Sequence, residues 1–168
     1  MSQNKLMDEL NEELNILYRF LVSKGVPYID AEDVVQETAY KFLRFSDTIK
    51  SSHIRSWLIR VALNIYYDQC RKNKKYILNL DDNINLTESD DLPLFTLIAK
   101  EQTEEINQLL RKLKPMYAEL LLLKYQSELS YNEISAILGI KKSSIKVKLF
   151  RARKKLLELY EEGKREKE

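Results

Sequence analysis

Residues 130–156 read SYNEISAILGIKKSSIKVKLFRARKKL, and this stretch decides the architecture. Ser130 and Glu133 stand in the S-x-x-E spacing of a capping box, so a helix begins at this point. Gly139 follows between Leu138 and Ile140. A glycine between two short helices, flanked by apolar residues that pin their crossing, predicts a helix-turn-helix. Laid out at 100° per residue, Ile145, Leu149, Ala152, Leu156 and Leu159 share one face of the second helix and are expected to pack inward. The opposite side carries Ser143, Lys146, Val147, Phe150, Arg151 and Lys154. No glutamate occurs from 134 to 157, so the glutamate–lysine pairing usual on a solvated helix is missing. Small residues, cations and one aromatic ring on a single face suit a DNA duplex: cations fix the register on phosphates while one or two side chains reach base edges. A basic helix with a merely solvated face is the plainer alternative.

The rest of the chain is helical by the same tests. Gly and Pro number only three each in 168 residues, too few for the frequent turns of a β-rich fold. Residues 3–22 carry Leu6, Leu10, Leu14, Leu17 and Leu21 at helical spacing, and Gly25 and Pro27 end that run. A second helix is expected from an Asp30 N-cap to about Arg44, with Ala31, Val34, Val35, Thr38, Phe42 and Phe45 on its inner face. The polar stretch SDTIKSSH reads as a loop, and a third helix runs from about Ile54 to Lys75. Residues 79–93 lack a helical period and hold five carboxylates, so they read as a flexible acidic linker. A helix near 96–112 and another opened by Pro115 precede the helix-turn-helix. The fold class expected is therefore all-α: two small helical domains over 1–76 and 101–162, a linker over 77–100, and a disordered tail over 163–168.

On the third helix Trp57, Arg60, Asn64, Tyr67, Arg71 and Lys75 form one stripe, while Leu58, Ala62 and Ile65 supply a core face. Rings that stack on bases, an amide and cations that follow phosphates are the chemistry of a single-stranded or distorted nucleic-acid site. For Trp57 alone, core packing is the expected role. The second helix has an outer row of Asp33, Gln36, Glu37, Tyr40 and Arg44, a candidate protein-docking face. Acidic groups near a helix start also suit its dipole.

Charge is nearly balanced at +2 but unevenly placed: +2 over 1–75, −4 over 76–100 and +4 over 101–168. Clusters at Arg71, Lys72, Lys74, Lys75 and at Lys146–Lys155 suggest two contacts on one polyanion. One cysteine, Cys70, excludes an intrachain disulfide, and one histidine, His53, leaves no metal-ligand pattern, so no cofactor or metal is expected. The carboxylates are not clustered as a nuclease or deaminase would require, so no enzymatic activity and no small-molecule substrate are expected. The N-terminus lacks a signal peptide's basic start and apolar run, and no stretch reaches membrane-span length; the expected setting is the reducing cytoplasm.

Three segments together resemble the extracytoplasmic-function (ECF, group IV) sigma factors of bacterial RNA polymerase. DAEDVVQETAYKFLR (30–44) is similar to the family's region 2.2, IRSWLIRVALNIYYDQCRK (54–72) to regions 2.3 and 2.4, and 129–156 to region 4.2. The resemblance implies docking on the β′ clamp coiled coil through Asp33, Gln36 and Glu37, with Tyr40 beside them. It implies recognition and melting of a −10 promoter element by Arg60, Asn64 and the loop at Lys50 and Ser51. It further implies a second domain on the β flap that reads a −35 element through Lys146, Val147, Lys148, Phe150 and Arg151, with Ser144 and Lys154 in the same contact set. Promoter DNA, core polymerase and an anti-sigma factor, often membrane-anchored, are the implied partners. Three departures stand out: Lys141 replaces the family's usual serine cap, Ser144 a threonine and Lys148 an arginine. Lysine lacks arginine's fork to guanine, so the −35 sequence read here is expected to differ. A dimeric helix-turn-helix operator regulator acting without polymerase is the rival reading; it calls for a dimer seam or sensing pocket that the sequence does not display.

Overall fold

The computed structural model describes residues 3–49, 51–77 and 104–166. Every regular element among these residues is helical. The first unit holds α1 (Gln3–Lys24), α2 (Tyr28–Phe45) and α3 (Ile54–Ile77), with short 3-10 turns at Ser46–Thr48 and Ser51–His53 in place of the expected loop. The second unit holds α4 (104–112), α5 (Pro115–Leu121), a π-helical turn (Leu122–Gln126), α6 (Tyr131–Leu138) and α7 (Lys142–Glu166). The acidic linker, the start of the helix expected near 96, and Lys50 lie outside the described residues.

α1 ends in a Schellman motif. The Val26 amide donates to Leu21 O and the Gly25 amide to Val22 O, both at 3.0 Å. Gly25 sits at φ +105°, a conformation glycine adopts without strain, and Val26 folds back into the core. Leu10, Leu17, Phe20 and Leu21 of α1 pack with Ala31, Val34 and Phe42 of α2 and with Leu58, Ile59, Ala62 and Leu63 of α3. Thr38 is fully buried, and its hydroxyl donates to Val34 O at 2.7 Å, which satisfies it.

Two expectations for α2 are corrected. The helix starts at Tyr28 with Pro27 at the N-cap, so Asp30 lies within the first turn rather than capping it. Proline serves here because its fixed φ suits a helix entry and its missing amide costs no hydrogen bond. Phe45 belongs to the outer surface, not the core. A third correction concerns the tail: α7 continues to Glu166, so 163–166 are helical.

In the second unit Pro115 occupies the first helical turn of α5, as expected. The π turn widens the helix end: the Ser127 amide donates to Leu122 O at 2.9 Å, five residues back. Glu128 follows at φ +56°, turning the chain into α6. Both halves of the Ser130–Glu133 capping box form, each at 3.1 Å. Gly139 stands at φ +68° and turns the chain between α6 and α7. The Ser135 hydroxyl locks that turn by donating to Ile140 O at 2.6 Å. The Lys141 carbonyl then accepts the Ile145 amide at 3.0 Å and opens α7. Ile134, Ile145, Leu149 and Ala152 are buried, and Leu156 and Leu159 are half-buried over them. The two units are in contact: α1 packs on α5 and the π turn, and α3 packs on α6.

Candidate nucleic-acid interface

The outer face of α7 stands clear of the core. Phe150 is 61% exposed and Val147 50%. Lys146, Arg151 and Lys154 are exposed around them, while Ser144 and Lys148 are half-buried at the margin. Elements behind the helix hold part of this charge in place. The Arg153 guanidinium donates to the Tyr125 hydroxyl at 2.7 Å, and this hydrogen bond is the main cause raising its pKa. The Tyr131 ring has the Lys124 ammonium 4.2 Å and the Lys146 ammonium 5.4 Å from its centroid, a cation–π arrangement. The sequence reading did not single out Tyr125, Tyr131 or Lys124; only the fold brings them beside α7.

The α3 stripe is partly occupied by protein. Arg60 and Asn64 are exposed. Trp57 is half-buried and lies edge-on to Phe42, with centroids 5.8 Å apart and planes at 69°, so its ring packs against the core of the first unit. Tyr67 is 38% exposed, yet its hydroxyl donates to Glu119 of α5 at 2.8 Å and meets the Lys24 ammonium. Burial first, then Glu119, pushes the Tyr67 hydroxyl above the usual tyrosine range. Tyr67 is thus engaged by the second unit and not aligned as a free base-stacking platform. Arg71 pairs with Asp68 three residues earlier. Lys75 lies in α3 and Ser51 in a 3-10 turn, their side chains outside the described set.

On α2, Asp33, Gln36, Glu37 and Tyr40 are all exposed. Tyr40 is 63% exposed, and Ile29, Leu43 and Phe45 add further apolar surface. The Arg44 guanidinium lies 6.0 Å from the Tyr40 ring and 5.7 Å from the Phe45 ring. Exposed apolar and polar side chains thus stand together on the outer face of α2.

Comparison with known proteins gives this arrangement a family. A sigma-70 region 2 model matches residues 10–76, and a sigma-70 region 4 model matches residues 103–156. The ECF RNA polymerase sigma factor SigM of Bacillus subtilis is 34% identical over 152 residues, covering 89% of this chain and 91% of the relative. The chain belongs to the ECF RNA polymerase sigma factors. SigW of Bacillus subtilis, also an ECF sigma factor, is 33% identical over 141 residues, covering 76% of this chain and 73% of the relative. In fold, the chain matches the sigma factor RpoE in its complex with the anti-sigma factor NepR from Bartonella quintana. The TM-score is 0.71 at 24% identity, over 94% of this chain and 97% of that one.

Within this sigma factor, region 2 comprises the α1–α3 unit and region 4 the α4–α7 unit. Among the described residues no group of His, Cys, Asp and Glu could hold a metal ion, and no helix is long and apolar enough to cross a membrane.

Proposed function

We propose that this chain is a dissociable promoter-specificity subunit that binds core RNA polymerase and directs it to promoters with −10 and −35 elements. The outer face of α2, with Asp33, Gln36, Glu37 and Tyr40, docks on the β′ clamp coiled coil. Arg60 and Asn64, with Lys50 and Ser51 ahead of α3 in sequence, engage the −10 element as it opens. Lys146, Val147, Lys148, Phe150 and Arg151 read the −35 duplex from α7, flanked by Ser144 and Lys154, while the second unit rests on the β flap. Specificity then comes from base-edge contacts of about 1–3 kcal/mol each, added to salt-sensitive phosphate binding.

The observation that carries this reading is the free face of α7, with Phe150 61% exposed among cations, in a chain that also matches region 2. The same reading places the chain in group IV, with no catalytic activity of its own. It acts in the cytoplasm at the nucleoid and is held inactive by an anti-sigma factor, which for some partners sits at the membrane. A similarly folded sigma factor in complex with an anti-sigma factor supports a partner of that kind.

The test is co-elution with sigma-free core polymerase on gel filtration, alongside an Asp33→Arg/Gln36→Ala variant. Co-elution lost in the variant is the expected result. A folded chain that fails to co-elute at micromolar concentration contradicts the proposal and leaves the operator-binding regulator.

A further inference from the structure

The outer face of α7 is not uniformly polar. Residues at steps of four, three and four share one line along a helix. On α7 that line is Ser143, Val147, Phe150 and Lys154, all of them exposed. Its two central members, Val147 and Phe150, are apolar and stand open. Neither side chain carries a hydrogen-bonding group.

The polar residues around this pair lie to its sides. The Arg153 guanidinium donates to the Tyr125 hydroxyl at 2.7 Å, and the Lys146 ammonium lies 5.4 Å from the Tyr131 ring centroid. Tyr125 belongs to the π turn and Tyr131 opens α6, so both cations are braced along one flank of α7. Cations at the flank of a recognition helix meet phosphates at the walls of a groove, and phosphates carry no sequence information. Ser144 and Lys148 are half-buried at the margin. Val147 and Phe150 are left at the centre with Arg151 beside them, aimed where base edges lie.

The occupant of this face is fixed by charge. Lys146, Arg151, Arg153, Lys154 and Lys155 are exposed, and α7 has no carboxylate before Glu158. Such a face complements a polyanion, and a single helix fits the major groove of a duplex. Of the groups that bases present in that groove, the thymine 5-methyl is the apolar one. A guanine or cytosine edge pressed against Val147 loses water and gains no hydrogen bond. Val147 and Phe150 are separated by a rise of about 4.5 Å along the helix. The base step is about 3.4 Å, so the two side chains face neighbouring base pairs.

We infer that Val147 and Phe150 are an apolar reading pair that selects the methyl groups of thymines on two adjacent A·T pairs of the upstream element. The inference deepens the −35 reading and rests on α7 lying in a major groove. It does not require polymerase, because the outer face of α7 is free in this structure.

The test uses the full-length chain alone to enrich duplexes from a random-sequence pool. Each thymine of the enriched element is then replaced singly by deoxyuridine, which removes the methyl group and nothing else. Loss of roughly fourfold in affinity is expected at two neighbouring positions, the worth of one buried methyl group. Val147→Ser abolishes the preference for thymine over deoxyuridine at one of them, and Phe150→Ser at the other. Circular dichroism establishes that these variants, altered at exposed positions, are folded. Deoxyuridine tolerated at every position overturns the inference, as does a Val147→Ser chain that keeps both preferences. A parent chain that enriches no duplex also overturns it and leaves the pair to a protein partner. A chain that discriminates the methyl groups but does not co-elute with core polymerase contradicts the sigma-factor reading alone.

Discussion

α3 and α7 both carry a stripe of cations and aromatic rings, and the fold treats the two stripes differently. On α7 the stripe is largely open, with Val147, Phe150, Arg151 and Lys154 exposed and only its margin, at Ser144 and Lys148, half-buried. On α3 it is divided. Arg60 and Asn64 are open, Trp57 leans on Phe42, and Tyr67 is bound to Glu119 of the other unit. The cause is position in the bundle. α7 packs by one face only, so its far side is free by default. α3 is packed by α1 and α2 and also meets α6, and its Tyr67 hydroxyl reaches Glu119 of α5, so part of its polar face has become an internal boundary. Helical periodicity identifies which residues share a face but does not say whether a second body covers it.

This contrast can be broken by mutation. The largest effect is expected at Trp57. As an edge-on partner of Phe42, its replacement by alanine should cost about 3 kcal/mol of folding stability, toward the low end for an aromatic truncation because the ring is half-buried. Urea denaturation measures this, and a loss under 1 kcal/mol would return Trp57 to the DNA-stacking role. Next is Arg151→Ala, which should weaken binding to a −35 duplex by about 1–3 kcal/mol if the side chain reaches a base, and should relax specificity at one position. Uniform weakening across sequences, with a salt slope shallower by about one, would make it a phosphate contact instead. Neither result should be accompanied by a change in melting temperature, since Arg151 is exposed.

A smaller effect is expected at Ser130, whose hydroxyl accepts the Glu133 amide at 3.1 Å. Ser130→Ala should cost about 1 kcal/mol and act on region 4 without changing the α7 face. The smallest concerns pH. Burial holds the Tyr66 and Tyr67 hydroxyls above the usual tyrosine value, Tyr66 further through Cys70 and Tyr67 through Glu119. The folded chain therefore keeps protons that the unfolded chain releases. Their contribution is complete below about pH 10 and is lost as pH rises beyond it. Tyr67→Phe should flatten that alkaline decline in denaturation midpoints measured from pH 9 to 11.

Local features were legible in the sequence wherever the responsible groups are neighbours. The Ser130–Glu133 box, the left-handed Gly139, Pro115 at a helix start and the inner faces of α2, α3 and α7 all follow from short-range spacing. The misreadings are local choices decided by competing effects. Pro27 displaced Asp30 as the start of α2, and Phe45 turned outward where the helix ends in a 3-10 turn. Half-buried Leu156 and Leu159 carry α7 past its expected end. What no spacing discloses is Glu119 with Lys24, 95 residues apart, or Gln126 with Ser23, 103 residues apart. Nothing on either side of such a pair marks it until the helices are assembled.

The central claim is that α3 and α7 read two promoter elements on behalf of polymerase. Its most direct test is transcription of the host's own genomic DNA by core polymerase reconstituted with this chain, followed by mapping of transcript 5′ ends. The account predicts start sites absent with core alone, each preceded by two shared sequence blocks. Asn64→Ala should lose discrimination at the downstream block, and Arg151→Ala at the upstream one. Start sites no different from those of core alone, with the chain folded and bound, would contradict it.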